Sequence, residues 1–237
     1  MRTTFGNMIF RCAVIFGIAS SALAQNNVWL KLEKGDALVL LPKTAQWQPL
    51  ITKNEIPRRT YLLTKELSVV KIFVATEIYE VDENSYVFIE DVIAKSRGQL
   101  VAELTRIEAE QLPNPERKNE SPNAQEVGLT YGKPSQSSVG DGNIPYRKER
   151  FTAINYFIKK DRPDAALLTM KRMLTKYPSL YLDQLVVEQL FSLYERLELH
   201  GFLFDESNKL LSIIKNEEFS TVVMKWNKEA KKKLTGN

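Results

Sequence analysis

A chain of 237 residues with 26% charged and 43% hydrophobic side chains has ordinary globular composition and is long enough for one or two domains. One cysteine and one histidine exclude an intrachain disulfide, a thiolate metal site and any site that needs two imidazoles. The formal charge of +4 is too small to imply a nucleic-acid partner, and it falls further once a leader carrying Arg2 and Arg11 is removed.

Residues 1–24 read as a secretory signal peptide. Arg2 and Arg11 precede an apolar run from Cys12 to Ala19, and the small residues Ala22 and Ala24 stand before Gln25, so cleavage is expected between Ala24 and Gln25. The apolar run is well short of the ~20 residues that a membrane-spanning helix needs. Cys12 stands at the start of that run and not directly after it, which argues against a lipoprotein. The expected product is periplasmic or secreted, with no membrane span in the mature chain.

Residues 25–112 carry short β-branched runs. Val28 to Leu32 and Ala37 to Leu41 flank Glu33-Lys34-Gly35-Asp36, which reads as a hairpin turn because glycine supplies positive φ. Trp47, Pro49 and Leu50 follow on a loop. Leu67 to Val74, Glu77 to Val81 and Tyr86 to Val92 are three further strands, the last two separated by an Asp82-Glu83-Asn84 turn. Short strands at near-regular spacing predict a small antiparallel sandwich or barrel. From Gln99 to Gln111, Leu100, Val101, Leu104 and Ile107, with Leu112 just beyond, fall at helical spacing and predict one helix packed on the sheet.

Within this module, a Gly-Asp turn opening a strand, Trp-x-Pro-Leu at 47–50, Glu55-Ile56-Pro57 leading to Leu62 and Thr64, and the serine-led strand Ser68-Val69-Val70-Lys71-Ile72 resemble the FecR-type domain of bacterial envelope proteins. The resemblance covers roughly residues 28–92. The glycines that the family usually places around the Glu-Ile-Pro step, and its Asp-Gly turn, are replaced here by Lys53-Asn54, Arg58-Arg59 and Ala75-Thr76. The resemblance implies a β-rich binding or signalling module without catalytic residues.

Residues 113–145 hold prolines 113, 115, 122, 134 and 145 and glycines 128, 132, 140 and 142, with almost no clustered apolar side chains. Such a segment buries too little to offset its ordering entropy, so it reads as a flexible linker.

Residues 146–237 switch to helical periodicity. Phe151, Ile154, Phe157 and Ile158 mark a helix ending at Lys160. Asp161-Arg162-Pro163-Asp164 starts the next, with Ala166, Met170, Met173, Leu174 and Tyr177 on one face and Pro178 as terminator. Ser179 is the expected cap of a third helix bearing Leu182, Leu185, Val186, Leu190, Phe191, Tyr194 and Leu197, which His200-Gly201 ends. A fourth runs from about Asp205 to Lys215, and a fifth carries Phe219, Val222, Trp226, Ala230 and Leu234. The interval from Pro145 to Ser179 is 34 residues, and with Pro178 as terminal proline and Ala166 as the small residue the module resembles a degenerate tetratricopeptide pair with a capping helix. The Trp-x-x-Leu-Gly signature is absent, and His200 falls where a small residue belongs. So short a stack is marginal alone, so the last helix or docking on the β module must cover its remaining apolar face.

The fold expected is thus α+β in two modules: a small antiparallel β sandwich or barrel with one helix, then an all-α helical-hairpin module. No catalytic motif or cofactor signature occurs. His200 reads as a polar helix-end cap, and the acids Glu77, Glu80, Asp82, Glu83, Glu90 and Asp91 read as edge-strand charges, because they lack the order of a calcium loop. Tyr156, Tyr177, Tyr181 and Tyr194 are candidates for a partner groove between hairpins. Lys225, Lys228, Lys231, Lys232 and Lys233 are candidates for contact with an anionic surface. The function expected is a non-catalytic envelope adaptor or assembly factor for envelope proteins or cell-wall polymer. A FecR-like sensory role is the alternative, and a carboxylate-based glycan hydrolase a more distant one. The sequence leaves the oligomeric state open.

Overall fold

The computed structural model describes residues 27–42, 44, 46–109 and 144–236. The predicted leader with its Ala24–Gln25 cleavage point, Leu112 and the predicted linker up to residue 143 lie outside the described residues. The architecture is α+β in two modules.

The first module has eight strands: β1 (Asn27–Lys34), β2 (Ala37–Leu40), β3 (Gln48–Pro49), β4 (Lys53–Pro57), β5 (Tyr61–Thr64), β6 (Val69–Val74), β7 (Glu77–Val81) and β8 (Tyr86–Phe88). They form two four-stranded antiparallel sheets, ordered β4-β1-β6-β7 and β3-β2-β5-β8. Period-two alternation aims Val28 and Leu30 of β1 and Val70, Ile72 and Val74 of β6 inward from one sheet. Ala37, Val39, Leu62 and Val87 come from the other, and all of them join one apolar core.

The expected β1–β2 hairpin is not formed. β1 pairs with β4 and β6, and β2 with β3 and β5, so the chain at Gly35 turns a corner from one sheet into the other. Gly35 has φ +73°, and a Cβ there would meet the Ser68 hydroxyl at 2.4 Å and its Cα at 2.7 Å. The Ser68 hydroxyl fills that space, accepting from the Asp36 amide at 2.8 Å and donating to the Asp36 carbonyl at 2.7 Å. The same local signal therefore serves a crossover, and the register is set by distant strands.

The expected strand from Tyr86 to Val92 is also cut short. After β8 the chain makes one helical turn, α1 (Ile89–Val92), followed by α2 (Arg97–Ala109), which buries Leu100, Leu104 and Ile107. β3, β4 and β5 occupy a stretch read only as loop and motif residues.

The second module comprises α3 (Arg147–Lys159), α4 (Pro163–Lys176), a 3-10 turn at Pro178–Leu182, α5 (Gln184–Arg196), α6 (His200–Leu211) and α7 (Glu217–Thr235). Two start signals fall elsewhere than expected. The cap of α5 is Asp183, whose carboxylate accepts from the Leu185 and Val186 amides; Ser179 lies within the 3-10 turn. His200 and Gly201 open α6 instead of ending α5, and the break comes at Glu198, with φ +54°.

α4 is buried almost all round, from Ala165 to Lys171 and at Met173 and Leu174, as befits a central helix. α3 and α5 pack on it from its own module, α1 and α2 from the other, and α3 also meets β8. α7 packs on α6. The apolar face of the helical module is thus covered both by its last helix and by the β module, and the two modules share one core.

Gly35→Ala is expected to destabilise the protein by about 2–4 kcal/mol, from a left-handed φ and a clash with Ser68. That corresponds to a Tm lower by roughly 5–15 °C in a chain of this size. A wild-type Tm in differential scanning calorimetry would contradict the account of the corner.

Candidate functional site

The seam between the modules is set by cations on α3 and α4. Arg172 donates from Nε to Asp91 at 2.7 Å and also pairs with Glu103, while its guanidinium lies 4.3 Å from the Phe88 ring centre. Arg106 also holds Glu103, donating from Nη2 to Oε1 at 2.6 Å and from Nε to Oε2 at 3.0 Å. Lys171, with almost no exposed surface, donates to Glu206 at 2.8 Å and to Glu108 and the Tyr181 hydroxyl at 3.3 Å, so its three donors are satisfied. Arg150 lies over Tyr86 at 3.8 Å, within a group of rings that includes Trp47, Tyr61 and Tyr146. Arg162 donates to the Val92 carbonyl at 2.9 Å and to Asp164 at 2.9 Å.

These contacts scatter the four tyrosines expected to share a groove. Tyr194 is fully buried, stacked on Phe202, and its hydroxyl has no partner among the described residues. Tyr181 donates to Glu206, and burial with that carboxylate pushes its phenol far above its usual range. Tyr177 lies under Arg150 at the end of α4. Tyr156 lines an opening. The correction has a simple cause: helical spacing placed each ring on a helix face, but α6 covers Tyr181 and Tyr194, and Arg150 of α3 lies over Tyr177.

Tyr156 borders an open cleft of about 310 Å³, lined by Ile78, Tyr79 and Glu80 of β7, Val92 of α1, Phe157 and Lys160 of the α3 end, and Arg162. Its floor is apolar and aromatic, and its rim carries both signs of charge. Lys160 places its ammonium 5.5 Å from the Tyr156 ring centre and makes no ion pair among the described residues. Burial, with Glu80 and Asp82 nearby, pushes the Tyr156 phenol up to about 12, so it stays protonated and able to donate. Arg162 is 5.2 Å from the Tyr79 ring and fixes one wall.

β7 is the outer strand of its sheet. The two-residue turn Ala75-Thr76 makes Val74 and Glu77 the closing hydrogen-bonded pair of the β6–β7 hairpin. Antiparallel alternation then turns the backbone N–H and C=O of Ile78 and Glu80 away from β6, toward the open edge. Ile78 is 61% exposed there. Sequence reasoning saw this strand but not the cleft, because the other wall comes from a helix remote in the chain. Arg162 carried a signal, but it was absorbed by the helix-start reading.

The remaining candidates fall elsewhere. The six acids do not converge: Asp91 is buried against Arg172, Glu83 accepts from the Leu67 amide, and no three of them form a metal-holding group among the described residues. His200 opens α6, with its Nδ1 3.5 Å from a Glu195 carboxylate oxygen and no hydrogen bond between them. All five lysines of the α7 stretch are exposed, and Lys233 pairs with Glu195. No helix among the described residues is long and apolar enough to cross a membrane. Comparison with known proteins finds no family model, no curated protein and no solved structure that matches the chain.

Burial outweighs the attraction of Arg172 and lifts Asp91 to about 6, above the usual carboxylate value of 3.8. A carboxyl with a raised folded-state pKa contributes stability that is fully present below about pH 3.8 and is lost as pH rises through 6. Asp91→Asn removes that dependence. Its Tm relative to the wild type is expected to rise by several degrees between pH 4 and pH 8, read by thermal melts at matched ionic strength. A Tm difference that is flat with pH, or falls, would refute the assignment.

Proposed function

We propose that the protein is an exported, non-catalytic adaptor of the cell envelope that captures an extended segment of an envelope protein at the cleft between its two modules. The observation that carries this reading is the open edge of β7 lying directly beside an aromatic-floored cleft. An added strand would take the outward N–H and C=O groups of Ile78 and Glu80, and alternate side chains of that strand would reach the cleft. Tyr79, Tyr156, Phe157 and Val92 suit an apolar or aromatic side chain. Lys160, which makes no ion pair among the described residues, suits an acidic neighbour on the same segment.

The leader reading supports export, and the FecR-type and tetratricopeptide resemblances of the two modules both point to binding and not to chemistry. Glu77 and Glu80 on the same edge discourage promiscuous strand pairing, so the cleft contacts would select the partner.

Ile78→Pro removes the outward amide without touching the β6–β7 ladder. In envelope extracts, a photo-crosslinking side chain at Glu80 of the full chain is expected to form one defined protein adduct. That adduct should be reduced about tenfold or more by Ile78→Pro and by Tyr156→Ala, with Tm unchanged within a few degrees. An adduct indifferent to both substitutions would place the partner elsewhere.

A further inference from the structure

Helix α7 carries a surface that the cleft reading leaves unused. Its inner face buries Phe219, Val223 and Ala230 against the body, with Trp226 edge-on to Phe191 at 6.0 Å. Lys225, Lys228, Lys231 and Lys232 recur at three- and four-residue steps on the other side, all exposed, and none makes an ion pair among the described residues. They span two turns, about 10 Å of helix axis. Met224, 42% exposed, stands one turn before Lys228 on this same face. The acids of α7 lie at its start, Glu217 and Glu218, and at Glu229, toward the flank that Lys233 shares with Glu195.

The helix dipole accounts for only part of this. It favours cations in the last turn, here Lys232 and Lys233, and its effect fades beyond that turn. Lys225 and Lys228 lie further in. Unpaired like charges at three- and four-residue spacing repel one another and weaken the helix, which Asn216 caps at its start and Gly236, in left-handed conformation, ends. The stripe is therefore complementary to something anionic that is outside the chain. An aliphatic thioether set among lysines distinguishes the kinds of anion: a soluble polyanion has nothing to offer it, whereas a phospholipid surface takes the thioether among its acyl chains while the lysines stay at the headgroups.

We infer that the outer face of α7 binds an anionic phospholipid surface, with the phosphate-bearing headgroups on Lys225, Lys228, Lys231 and Lys232 and Met224 at the acyl boundary. The helix lies along the surface and does not enter it. This assignment is independent of the peptide reading of the cleft, since α7 takes no part in lining it.

The test is sedimentation of the full chain with vesicles of phosphatidylcholine alone or with about one third phosphatidylglycerol, at low and at physiological salt. Retention is expected only with phosphatidylglycerol and is expected to fall with salt. Replacing the four lysines by glutamine should weaken partitioning by roughly thirtyfold or more, since each lysine strengthens it severalfold. Met224→Ser, which leaves the charge intact, should weaken it by a smaller but measurable factor. Both variants alter exposed positions, and circular dichroism and Tm report whether they fold. Equal binding to neutral vesicles, or no loss in the four-lysine variant, overturns the inference. So does tight binding to soluble polyphosphate combined with vesicle binding indifferent to Met224→Ser, which would make the stripe a general polyanion site.

Discussion

Placement of Arg172 between Asp91 and Glu103 is the constraint on which the rest of the structure depends. Apolar burial draws the two modules together but has no direction. The guanidinium supplies direction, because its planar fork must meet one carboxylate from α1 and another from α2 at once. Lys171, the preceding residue on α4, repeats the device with Glu108 of α2 and Glu206 of α6. Two consecutive side chains of one helix thus fix the positions of three others. Taking such charges out of water is expensive, and a buried pair is weak evidence for stability by itself. Its consequence here is geometric: with α1 and α2 pinned on α4, Arg162 reaches the Val92 carbonyl, and β7 comes to stand opposite the end of α3.

Much of this fold was legible wherever one face of an element meets one core. β6 alternates cleanly, β7 keeps the bounds expected of it, and α3, α4 and α7 begin and end within a few residues of where apolar spacing, Pro163 and Pro178 place them. Legibility failed where local chemistry admits two outcomes. A Gly-Asp turn closes a hairpin or carries the chain between sheets, and only the pairing of β1 with β6, some forty residues on, decides. β4 escaped notice because it is an edge strand that buries only Ile56, and β3 because it is two residues long. Ser179 looked like a helix start because Pro178 precedes it, but the 3-10 turn defers α5 to the carboxylate of Asp183.

The site was less legible than the fold, for a related reason. Periodicity tells which residues share a helix face but not what covers that face. Tyr181 and Tyr194 share their surroundings with Glu206, a residue nothing in the sequence set apart, and Tyr177 is closed off by Arg150. Nothing in the sequence set Lys171 and Arg172 apart in the middle of α4, yet they are among the best-buried cations of the described residues. Tyr156 kept its opening, because the β strand facing it is the outermost of its sheet.

The location of the cleft ties binding to docking. Its walls come from β7 and α1 on one side and from α3 and Arg162 on the other, so a segment filling it contacts both modules and favours the docked arrangement by its own binding free energy. Whatever loosens the seam would loosen the cleft by the same linkage. α7 lines no part of the cleft: it packs chiefly on α6, on the residues next to Glu206. In the adaptor proposed above, the helix assigned to a surface and the cleft assigned to a partner are separate places in the fold, because no residue of α7 lines the cleft.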